Sequence, residues 1–568
     1  MAVWGLSGIA AAPVIPVSVT RTIRERVDYG YCVGTVVGMI NPDGRSYFSY
    51  GRPALDSIRT VDEQTVFEIG SVTKVFTSLL LADAVQRGEV SMDDAVGSLL
   101  PEGWRVPGGS SPITLLHLAT QTSGLPPNPD NLCSEDATRP FECYGEDLWA
   151  AFLRSYSLSR EPGASWEYSN TGMGFLGFAL AARAGVNYES LLRERILDPL
   201  GMKSTGLMMD SAVLGRRATG HSSVLQRPPF LMPVMEGAGA LRSTASDLLD
   251  FLAYNLGIRE TPLAPVLNDA WQRRTATSTP GISIGLGWWL WDLPGGRIVQ
   301  HGGDTPGFTA FVAFHPVRRV GAVVLSNSRA NRYSGVTDVG LHLLDSAYPL
   351  TPTRKPAEVS EAVLAGYMGV YEEAGGDSFE IGRIRQRLVG YHVRSNFEFA
   401  MIPESIRRLG VYDIEVGPDV SALFRVNADG AVTGMNWTQG GRTVTYTRKA
   451  EPAALRIHSR GDQWVLSMEG GSGAAYELEA SSDWRSWSVI GTLASRDDEM
   501  TVARDGDGSR SFRAVRRRGT TGGLGMQAGV WFESAATRTI VVQEREAWQG
   551  LAWVPGSDSR AQSPGYFP

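Results

Sequence analysis

The chain has 568 residues, of which 43% are hydrophobic and 20% are charged, so it is long enough for two to four globular domains. Its formal net charge of −7 argues against a nucleic-acid-binding surface, because binding to phosphates requires a basic face. Of the 53 basic residues only four are lysines, at positions 74, 203, 355 and 449. A lysine that is kept in such an arginine-rich chain is therefore informative about chemistry.

The N-terminal arm, residues 1–20, carries no charge before Arg21 and is interrupted by glycine and proline, so no membrane-spanning helix is expected there. The run Ala10–Ala12 is typical of the end of an export signal. The positively charged N-terminal region of such a signal is missing, however, and Pro13 lies where the signal peptidase would cleave. A truncated export signal and a disordered arm both remain open. The first would make the protein periplasmic or secreted, and the second leaves it cytoplasmic.

The three cysteines predict no metal site, because they form no C-x-x-C and no Cys/His cluster. Cys32 lies in an apolar stretch and is expected to be a buried thiol. Cys133 and Cys143 flank a polar loop segment, where a disulfide and two free thiols are both compatible with the spacing. A disulfide would favour an exported protein.

The first elements in chain order are two strands, over 33–40 and 46–50, joined by the turn sequence NPDG. Apolar residues at helical spacing predict a helix over 71–87, and a short helix over 112–119 is expected to begin at its proline. A long loop rich in proline, asparagine and aspartate follows, over 121–147. Loops of this length in compact domains are commonly functional.

The chain then returns to helices, which we predict over 147–157, 171–184 and 188–197. A further helix follows GAGALRSTAS, with Ser243 or Ser246 as its N-cap. Three antiparallel strands are predicted over 286–292, 309–315 and 320–326. This order predicts an α+β domain over 21–348, with a mostly antiparallel sheet flanked by helices and an all-helical insertion.

The pattern becomes all-β after a proline-rich linker at 349–356. Short strands separated by glycine and aspartate turns predict a small barrel over 357–450. Another set of short strands predicts a small sandwich over 451–518. The remaining tail, 519–568, has one strand-like run, TIVVQE, and its structure is left open.

The sequence Ser71-Val72-Thr73-Lys74 places a serine and a lysine one helical turn apart on the same face. A serine at a helix N-terminus lies beside free backbone N–H groups that can stabilise an oxyanion. A lysine can act as a base, whereas an arginine cannot. Because free lysine has a pKa of about 10.4, work near neutral pH requires a decrease of about 3 units, or roughly 4 kcal/mol. A helix-capping serine followed by a solvated lysine is the alternative, but the apolar flanks of Lys74 argue against it.

Two more segments carry polar residues of the kind that a hydrolase uses. Tyr168-Ser169-Asn170 precedes a glycine-rich helix, where Tyr168 can share a proton with Lys74 and Asn170 can orient the lysine. His301-Gly302-Gly303 follows a predicted strand, and its two glycines allow a substrate to approach the backbone closely. The ordinary alternatives are a capping turn and a glycine-rich β-turn with an exposed histidine.

The ordered set S-x-x-K, Y-x-N and H-x-G resembles the penicillin-recognising serine hydrolases of the class C β-lactamase type. This family includes DD-peptidases, family VIII carboxylesterases and D-aminopeptidases. The segments ITLLHLATQTSGLP, EPGASWEYSNTGMGFLG and HGGDTPGFTA also look like family segments in family order. The resemblance covers residues 21–348 and implies a β-lactamase/transpeptidase-like fold for this catalytic domain.

The resemblance implies that Ser71 is the acylated nucleophile, that Lys74 and Tyr168 form the base system, and that Asn170 lines the site. The reaction would be covalent acyl transfer in two steps, without a metal or another cofactor.

The resemblance further implies that the backbone N–H groups of Ser71 and Asp304 form the oxyanion hole, with Gly302 and Gly303 lining the substrate strand. His301 takes the place of the lysine in the family's K-T-G motif. Histidine is mostly neutral at pH 7, so it is a weaker site for a substrate carboxylate. A histidine in place of this lysine therefore argues against high β-lactamase activity. The barrel region is loosely similar to a lipocalin-like domain that is found in some D-aminopeptidase and esterase relatives.

These observations predict a serine hydrolase that cleaves ester or amide bonds of small acyl or peptidic substrates, most similar to a carboxylesterase. A D-aminopeptidase or DD-peptidase and a β-lactamase are the alternatives within the family. Nucleic acid and an integral membrane segment are not expected. An inactive scaffold that binds cell-wall material is the rival hypothesis, which the presence of Ser71, Lys74 and Tyr168 disfavours.

Overall fold

The structure is a computed structural model that describes residues 11–134, 139–329, 331, 335–384, 387–394, 397–412 and 420–450, and beyond them the backbone of strands between 454 and 545. It divides into two compact units, one that ends at Lys355 and one that begins at Pro356. Among the described residues, no helix is both long enough and apolar enough to cross a membrane.

The first unit contains an antiparallel sheet of eight strands in the order β2-β1-β12-β11-β10-β9-β8-β7. The strands of this unit are β1 Gly34–Asn41, β2 Gly44–Gly51, β3 Phe67–Glu68, β4 Gly220–Ser222, β5 Leu225–Arg227, β6 Arg242–Ser243, β7 Thr275–Ala276, β8 Ile282–Ile284, β9 Trp289–Leu293, β10 Gly296–Asp304, β11 Thr309–His315 and β12 Val320–Ser326. The helices are α1 Val17–Asp28, α2 Thr73–Gln86, α3 Leu115–Ala119, α4 Glu146–Ser155, α5 Asn170–Ala184, α6 Tyr188–Leu192, α7 Ser211–Leu214, α8 Glu236–Gly239, α9 Ala245–Asn255, α10 Ala264–Ala270 and α11 Thr337–Leu344.

Both faces of this sheet are covered by helices, as the alternation of buried residues along β1 shows. Val36 and Ile40 pack into the core that contains α2 and α9, whereas Val37 and Met39 pack into the core with α1 and α11. Successive side chains of a strand point to opposite faces, so a strand that is apolar at every position needs cover on both sides. In the chain, the helices α2 to α10 lie between β2 and β7, which are consecutive strands of this sheet in sequence. The predicted α+β fold with an antiparallel sheet and a helical insertion is confirmed.

Several local predictions were wrong, and each has a physical reason. The short helix begins at Leu115 and not at its proline, because Thr114 forms a capping box with His117. The helix α9 is capped by Thr244 and not by Ser243 or Ser246, since the Thr244 side chain accepts from the Asp247 backbone N–H. Strand β10, which carries His301, was not predicted as a separate strand, because its two glycines are typical of a turn.

The second unit begins with helix α12 Glu361–Gly366 and a closed barrel of antiparallel strands. The barrel strands are β13 Gly369–Glu372, β14 Ser378–Ile384, β15 Arg387–His392, β16 Phe397–Pro403, β17 Arg408–Val411, β18 Val420–Val426, β19 Val432–Gln439 and β20 Arg442–Ala450. Aromatic and aliphatic side chains such as Tyr371, Phe379, Phe424 and Trp437 form its core. The predicted all-β barrel is confirmed.

Further strands follow the barrel: β21 Ala454–Arg460, β22 Gln463–Glu469, β23 Tyr476–Ser481, β24 Ser488–Leu493, β25 Glu499–Ala503, β26 Ser511–Arg516, β27 Gln527–Gly529, β28 Arg538–Val541 and β29 Gln543–Arg545. They form sheets in the orders β25-β22-β21-β28 and β24-β23-β26, and β27 pairs with β29. Strands β27, β28 and β29 come from the segment 519–568, whose structure the sequence had left open.

A close contact between two backbones joins the start of α2 to the end of β10. A short 3₁₀ turn, Gly70–Val72, leads into α2. A Cβ atom added to Gly303 would lie 1.9 Å from the Ile69 carbonyl oxygen and 3.0 Å from the Ser71 nitrogen. Only a glycine at 303 therefore allows the helix start and the strand to approach this closely.

We expect Gly303→Ala to lower the free energy of unfolding by about 1–3 kcal/mol, because the added methyl group must push the two backbones apart. The neighbouring Gly302→Ala is the matched control, since the nearest atom to its Cβ is the Ala310 carbonyl oxygen at 3.8 Å. Urea unfolding of both variants measures the difference. Equal stability of the two variants would show that the close contact is unimportant.

Candidate active site

Ser71 lies in the 3₁₀ turn that precedes α2, and not in the α-helix itself. Gly70 has a φ of +48°, a left-handed conformation that favours glycine, and it redirects the chain into the turn. The Thr73 hydroxyl donates to the Gly70 carbonyl oxygen at 2.6 Å and accepts from the Leu241 N–H at 3.2 Å. The turn is thus fixed from both sides, while Ser71 itself remains partly exposed.

Lys74, one turn later, is completely buried among the residues of α2. Its Nζ lies 2.9 Å from Ser71 Oγ, 2.7 Å from Asn170 Oδ1 and 2.6 Å from the Ala238 carbonyl oxygen. Burial lowers the pKa of Lys74 well below its ordinary value, because the charged form loses its hydration.

The hydrogen-bond partners of Lys74 determine where its lone pair points. A neutral amine has two N–H groups and one lone pair, and the Ala238 carbonyl oxygen can only accept. The Asn170 oxygen also accepts, and its orientation is set by the bond from Asn170 Nδ2 to Asn128 Oδ1 at 2.9 Å. Both N–H groups are therefore used by these two oxygens. The lone pair is left for the hydroxyl proton of Ser71.

Tyr168 lies beside this pair. Its ring centroid is 4.8 Å from Lys74 Nζ, and its hydroxyl lies near the Ser71 side chain. Burial, with a further contribution from the Asp304 carboxylate, raises the pKa of Tyr168 above its ordinary value, although the nearby Ser71 side chain opposes this. The two pKa values thus move in opposite directions, and burial favours the uncharged form of both the amine and the phenol.

His301 is buried in β10, with 2% of its surface exposed. Its Nδ1–H donates to the Gly302 carbonyl oxygen, which leaves Nε2 as an acceptor, and Nε2 has no partner among the described residues. Burial, with the nearby Lys74 charge, lowers the pKa of His301 to about 3. The ring is therefore neutral at physiological pH. The structure places His301 inside the site and not on an exposed turn.

The end of β10 lies against the turn that carries Ser71. A Cβ atom on Gly70 would lie 2.8 Å from the Asp304 nitrogen, so the peptide groups of Ser71 and Asp304 are close together. Glu68 provides a second connection, because its buried carboxylate accepts from the Thr305 hydroxyl at 2.8 Å. The backbones of Ser71 and Asp304, whose N–H groups are predicted to form the oxyanion hole, are thus brought together at this junction with Gly303, and Gly302 precedes Gly303 in β10.

Sequence reasoning did not identify several of the groups that complete the site. The Ala238 carbonyl and the Asn128 amide have no signature of their own, since any residue can supply a carbonyl and asparagine is common in loops. Trp289 of β9 has its ring centroid 6.4 Å from that of Tyr168. Trp288, in contrast, is a core residue that stacks on Phe251.

The long loop over 121–147 contributes to the site through its backbone. The Pro127 carbonyl oxygen accepts from the Asn170 N–H at 2.9 Å, and the Pro126 carbonyl oxygen accepts from the Ser169 hydroxyl at 2.7 Å. Cys133 and Cys143 form a disulfide within the same loop. Of the two possibilities that the spacing had left open, the structure thus has the disulfide. Cys32 is a buried free thiol, as predicted.

The neutral state of His301 leads to a prediction about stability and pH. An unfolded histidine has a pKa of about 6.5, so between about pH 6.5 and about pH 3 the unfolded chain binds a proton that the folded chain does not. The contribution of His301 to the free energy of unfolding is therefore fully present above about pH 6.5, and it is lost as the pH falls toward 3. We expect the melting temperature of His301→Gln, measured by calorimetry, to fall less between pH 7 and pH 4 than that of wild type. Parallel curves for the two proteins would contradict a buried neutral histidine.

Comparison with known proteins places this site in a family. A family model described as Beta-lactamase matches residues 19–343. Over 359 residues the chain is 29% identical to the D-alanyl-D-alanine-carboxypeptidase/endopeptidase AmpH of Escherichia coli K12, with 58% of this chain and 90% of AmpH covered. It is 28% identical over 364 residues to a β-lactamase of the same organism, with 56% and 91% covered.

A solved structure supports the same fold. The D-alanine carboxypeptidase AmpC from Burkholderia cenocepacia superimposes with a TM-score of 0.50 at 24% identity, and the match covers 58% of this chain and 98% of that protein. Because the family model spans more than half of its length, the chain belongs to the β-lactamase family of penicillin-recognising serine hydrolases.

Proposed function

We propose that residues 21–348 form a catalytic domain that hydrolyses ester or amide bonds of small acyl or peptidic substrates through an acyl-enzyme on Ser71. The observation that carries this proposal is the environment of Lys74. Its amine is buried, and its Nζ lies within hydrogen-bond distance of the Asn170 and Ala238 oxygens and 2.9 Å from Ser71 Oγ. In the neutral amine those two oxygens take the N–H groups, and the lone pair faces Ser71. An uncharged base within hydrogen-bond distance of a hydroxyl is what activation of a serine nucleophile requires.

Acylation follows from the positions of the protons. As Ser71 Oγ attacks the substrate carbonyl carbon, the hydroxyl proton moves to Lys74 Nζ. The negative oxygen that forms is stabilised by the backbone N–H groups of Ser71 and Asp304. Tyr168, which is protonated, gives its proton to the leaving group as the scissile bond breaks, and Lys74 returns a proton to the phenol oxygen.

Deacylation uses the same groups in the reverse sense. A water molecule takes the place of the leaving group, and it transfers a proton to the base system as its oxygen attacks the acyl carbon. Ser71 leaves with a proton from Lys74, so the enzyme returns to its starting protonation state. Asn170 keeps the amine of Lys74 aimed at Ser71 through both steps.

Within this reaction class we propose a carboxylesterase-like preference. His301 supplies a neutral ring with Nε2 as an acceptor, so this position offers no positive charge to a substrate carboxylate. Simple esters do not need such a charge. A DD-peptidase or D-aminopeptidase is the second candidate, which the similarity to the carboxypeptidase AmpH favours. A β-lactamase is the third, with support from the relatives that bear that name.

We also propose that the protein is exported to an oxidising compartment. The disulfide between Cys133 and Cys143 supports this, because disulfides persist in secreted and periplasmic proteins and are rare in the cytosol.

The reaction class is tested with wild type and Ser71→Ala side by side, on a short-chain p-nitrophenyl ester, a D-alanine p-nitroanilide and a chromogenic cephalosporin. We expect wild type to hydrolyse the ester fastest and Ser71→Ala to lose at least about 1,000-fold in kcat, because the nucleophile is removed. Equal activity of the two proteins on every substrate would exclude Ser71 as the nucleophile. Faster hydrolysis of the anilide or the cephalosporin would replace the esterase proposal by the corresponding alternative.

The role of Lys74 is tested by exchanging it for the other basic residue. We expect Lys74→Arg to lower kcat by at least about 100-fold, since a guanidinium stays protonated and cannot accept the Ser71 proton. Lys203→Arg is the matched control, because Lys203 lies on an exposed turn. Both variants are assayed on the substrate that wild type prefers. Wild-type rates for Lys74→Arg would show that Lys74 is not the base.

A further inference from the structure

Tyr168 occupies a part of the chain that has no regular secondary structure. Residues 165–169 lie outside any helix or strand, and α5 begins only at Asn170. A side chain on such a segment is only as well placed as the contacts of its neighbours, because no ladder of backbone hydrogen bonds holds it. The reaction proposed above nevertheless requires the Tyr168 hydroxyl within hydrogen-bond distance of Ser71.

One residue of the long loop binds the backbone on both sides of this tyrosine. The Gln121 carbonyl oxygen accepts from the Glu167 N–H at 3.0 Å, and the Gln121 side-chain Oε1 accepts from the Ser169 N–H at 2.9 Å. Gln121 is 2% exposed, so neither bond competes with bulk water. The backbone N–H groups of the two residues next to Tyr168 in the chain are thus both bound by Gln121, one by its backbone and one by its buried side chain.

The backbone of Gln121 is strained in a way that indicates a use for its side chain. Its φ is +60°, in the left-handed region that glycine occupies without cost and that other residues rarely adopt. A glycine at this position would relieve the strain, but it would lose the acceptor for Ser169. Non-glycine residues in this conformation are concentrated at functional sites, where surrounding contacts hold them in place.

We propose that Gln121 is a positioning residue that sets the location of the Tyr168 hydroxyl over Ser71. This inference rests on the proposed function, since it matters only if Tyr168 takes part in catalysis. Gln121 acts through the backbone of Glu167 and Ser169 and does not touch the substrate. Its loss therefore displaces Tyr168 and slows the chemical step, while substrate binding changes little.

Three substitutions in the full-length protein separate this role from a purely structural one. Gln121→Met keeps the length of the side chain and removes the acceptor. Gln121→Glu keeps an oxygen that can accept from the Ser169 N–H. Gln121→Gly removes the acceptor and the backbone strain together, so its melting temperature is compared with that of Gln121→Met, which removes the acceptor and keeps the strain.

With the p-nitrophenyl ester, we expect Gln121→Met and Gln121→Gly to lower kcat about tenfold with less than about a twofold change in KM, the size expected for one lost hydrogen bond. Gln121→Glu should recover at least half of the wild-type kcat. A loss of kcat with an unchanged KM that the glutamate recovers is a result that a purely structural role does not predict.

A double-mutant cycle with Tyr168→Phe shows whether the effect passes through the tyrosine. If it does, Gln121→Met causes no further loss of kcat once the Tyr168 hydroxyl is absent. The proposal is overturned if the two losses multiply, if Gln121→Met keeps the wild-type kcat, or if Gln121→Glu is as slow as Gln121→Met. Failure of the proposed function is distinct, because it would be seen as equal rates for wild type and Ser71→Ala.

Discussion

The whole site depends on the burial of one amine. Lys74 can serve as a base only if it loses its proton near neutral pH, and the loss of hydration in the interior is what lowers its pKa. A buried amine must still satisfy its N–H groups, which the Asn170 and Ala238 oxygens do. Those two acceptors come from α5 and α8, so they reach Lys74 only where both elements pack against α2.

The packing of these three elements is unusually close. Gly177 of α5 and Gly237 of α8 face each other, and a Cβ atom on either would lie 3.2 Å from the Cα atom of the other. The Thr77 hydroxyl, one turn after Lys74, bonds with the Gly237 carbonyl at 2.7 Å. Because α8 packs this closely against α2, the Ala238 carbonyl oxygen reaches Lys74 Nζ. A larger side chain at this contact would separate the base from its acceptor.

The same burial shapes the other two titrating groups of the site. It raises the pKa of Tyr168 and lowers the pKa of His301, as it lowers that of Lys74, so burial favours the uncharged form of all three side chains. In the proposed reaction, charge develops on the substrate carbonyl oxygen and on the amine that takes the serine proton. Backbone N–H groups and carbonyl oxygens, whose orientation is set in advance by the fold, are well suited to stabilise that charge.

Much of this protein could be predicted from its sequence alone. The helix with Ser71 and Lys74, the Tyr168–Asn170 turn, the His301 segment and the change to an all-β region all have local patterns, because side-chain periodicity and turn residues act over a few positions. The rarity of lysine made Lys74 stand out, and its apolar neighbours predicted that it would be buried.

The tertiary structure decided what no local pattern contains. It places the Ala238 carbonyl on Lys74 and Gln121 beside Tyr168, and both depend on contacts between segments that are distant in the chain. It also makes a strand of the glycine-containing segment around His301, because pairing with β11 outweighs the weak strand preference of glycine. Residue types and spacing thus determined which groups are available, whereas the protonation state and direction of each group were determined by burial and by partners that only the folded chain supplies.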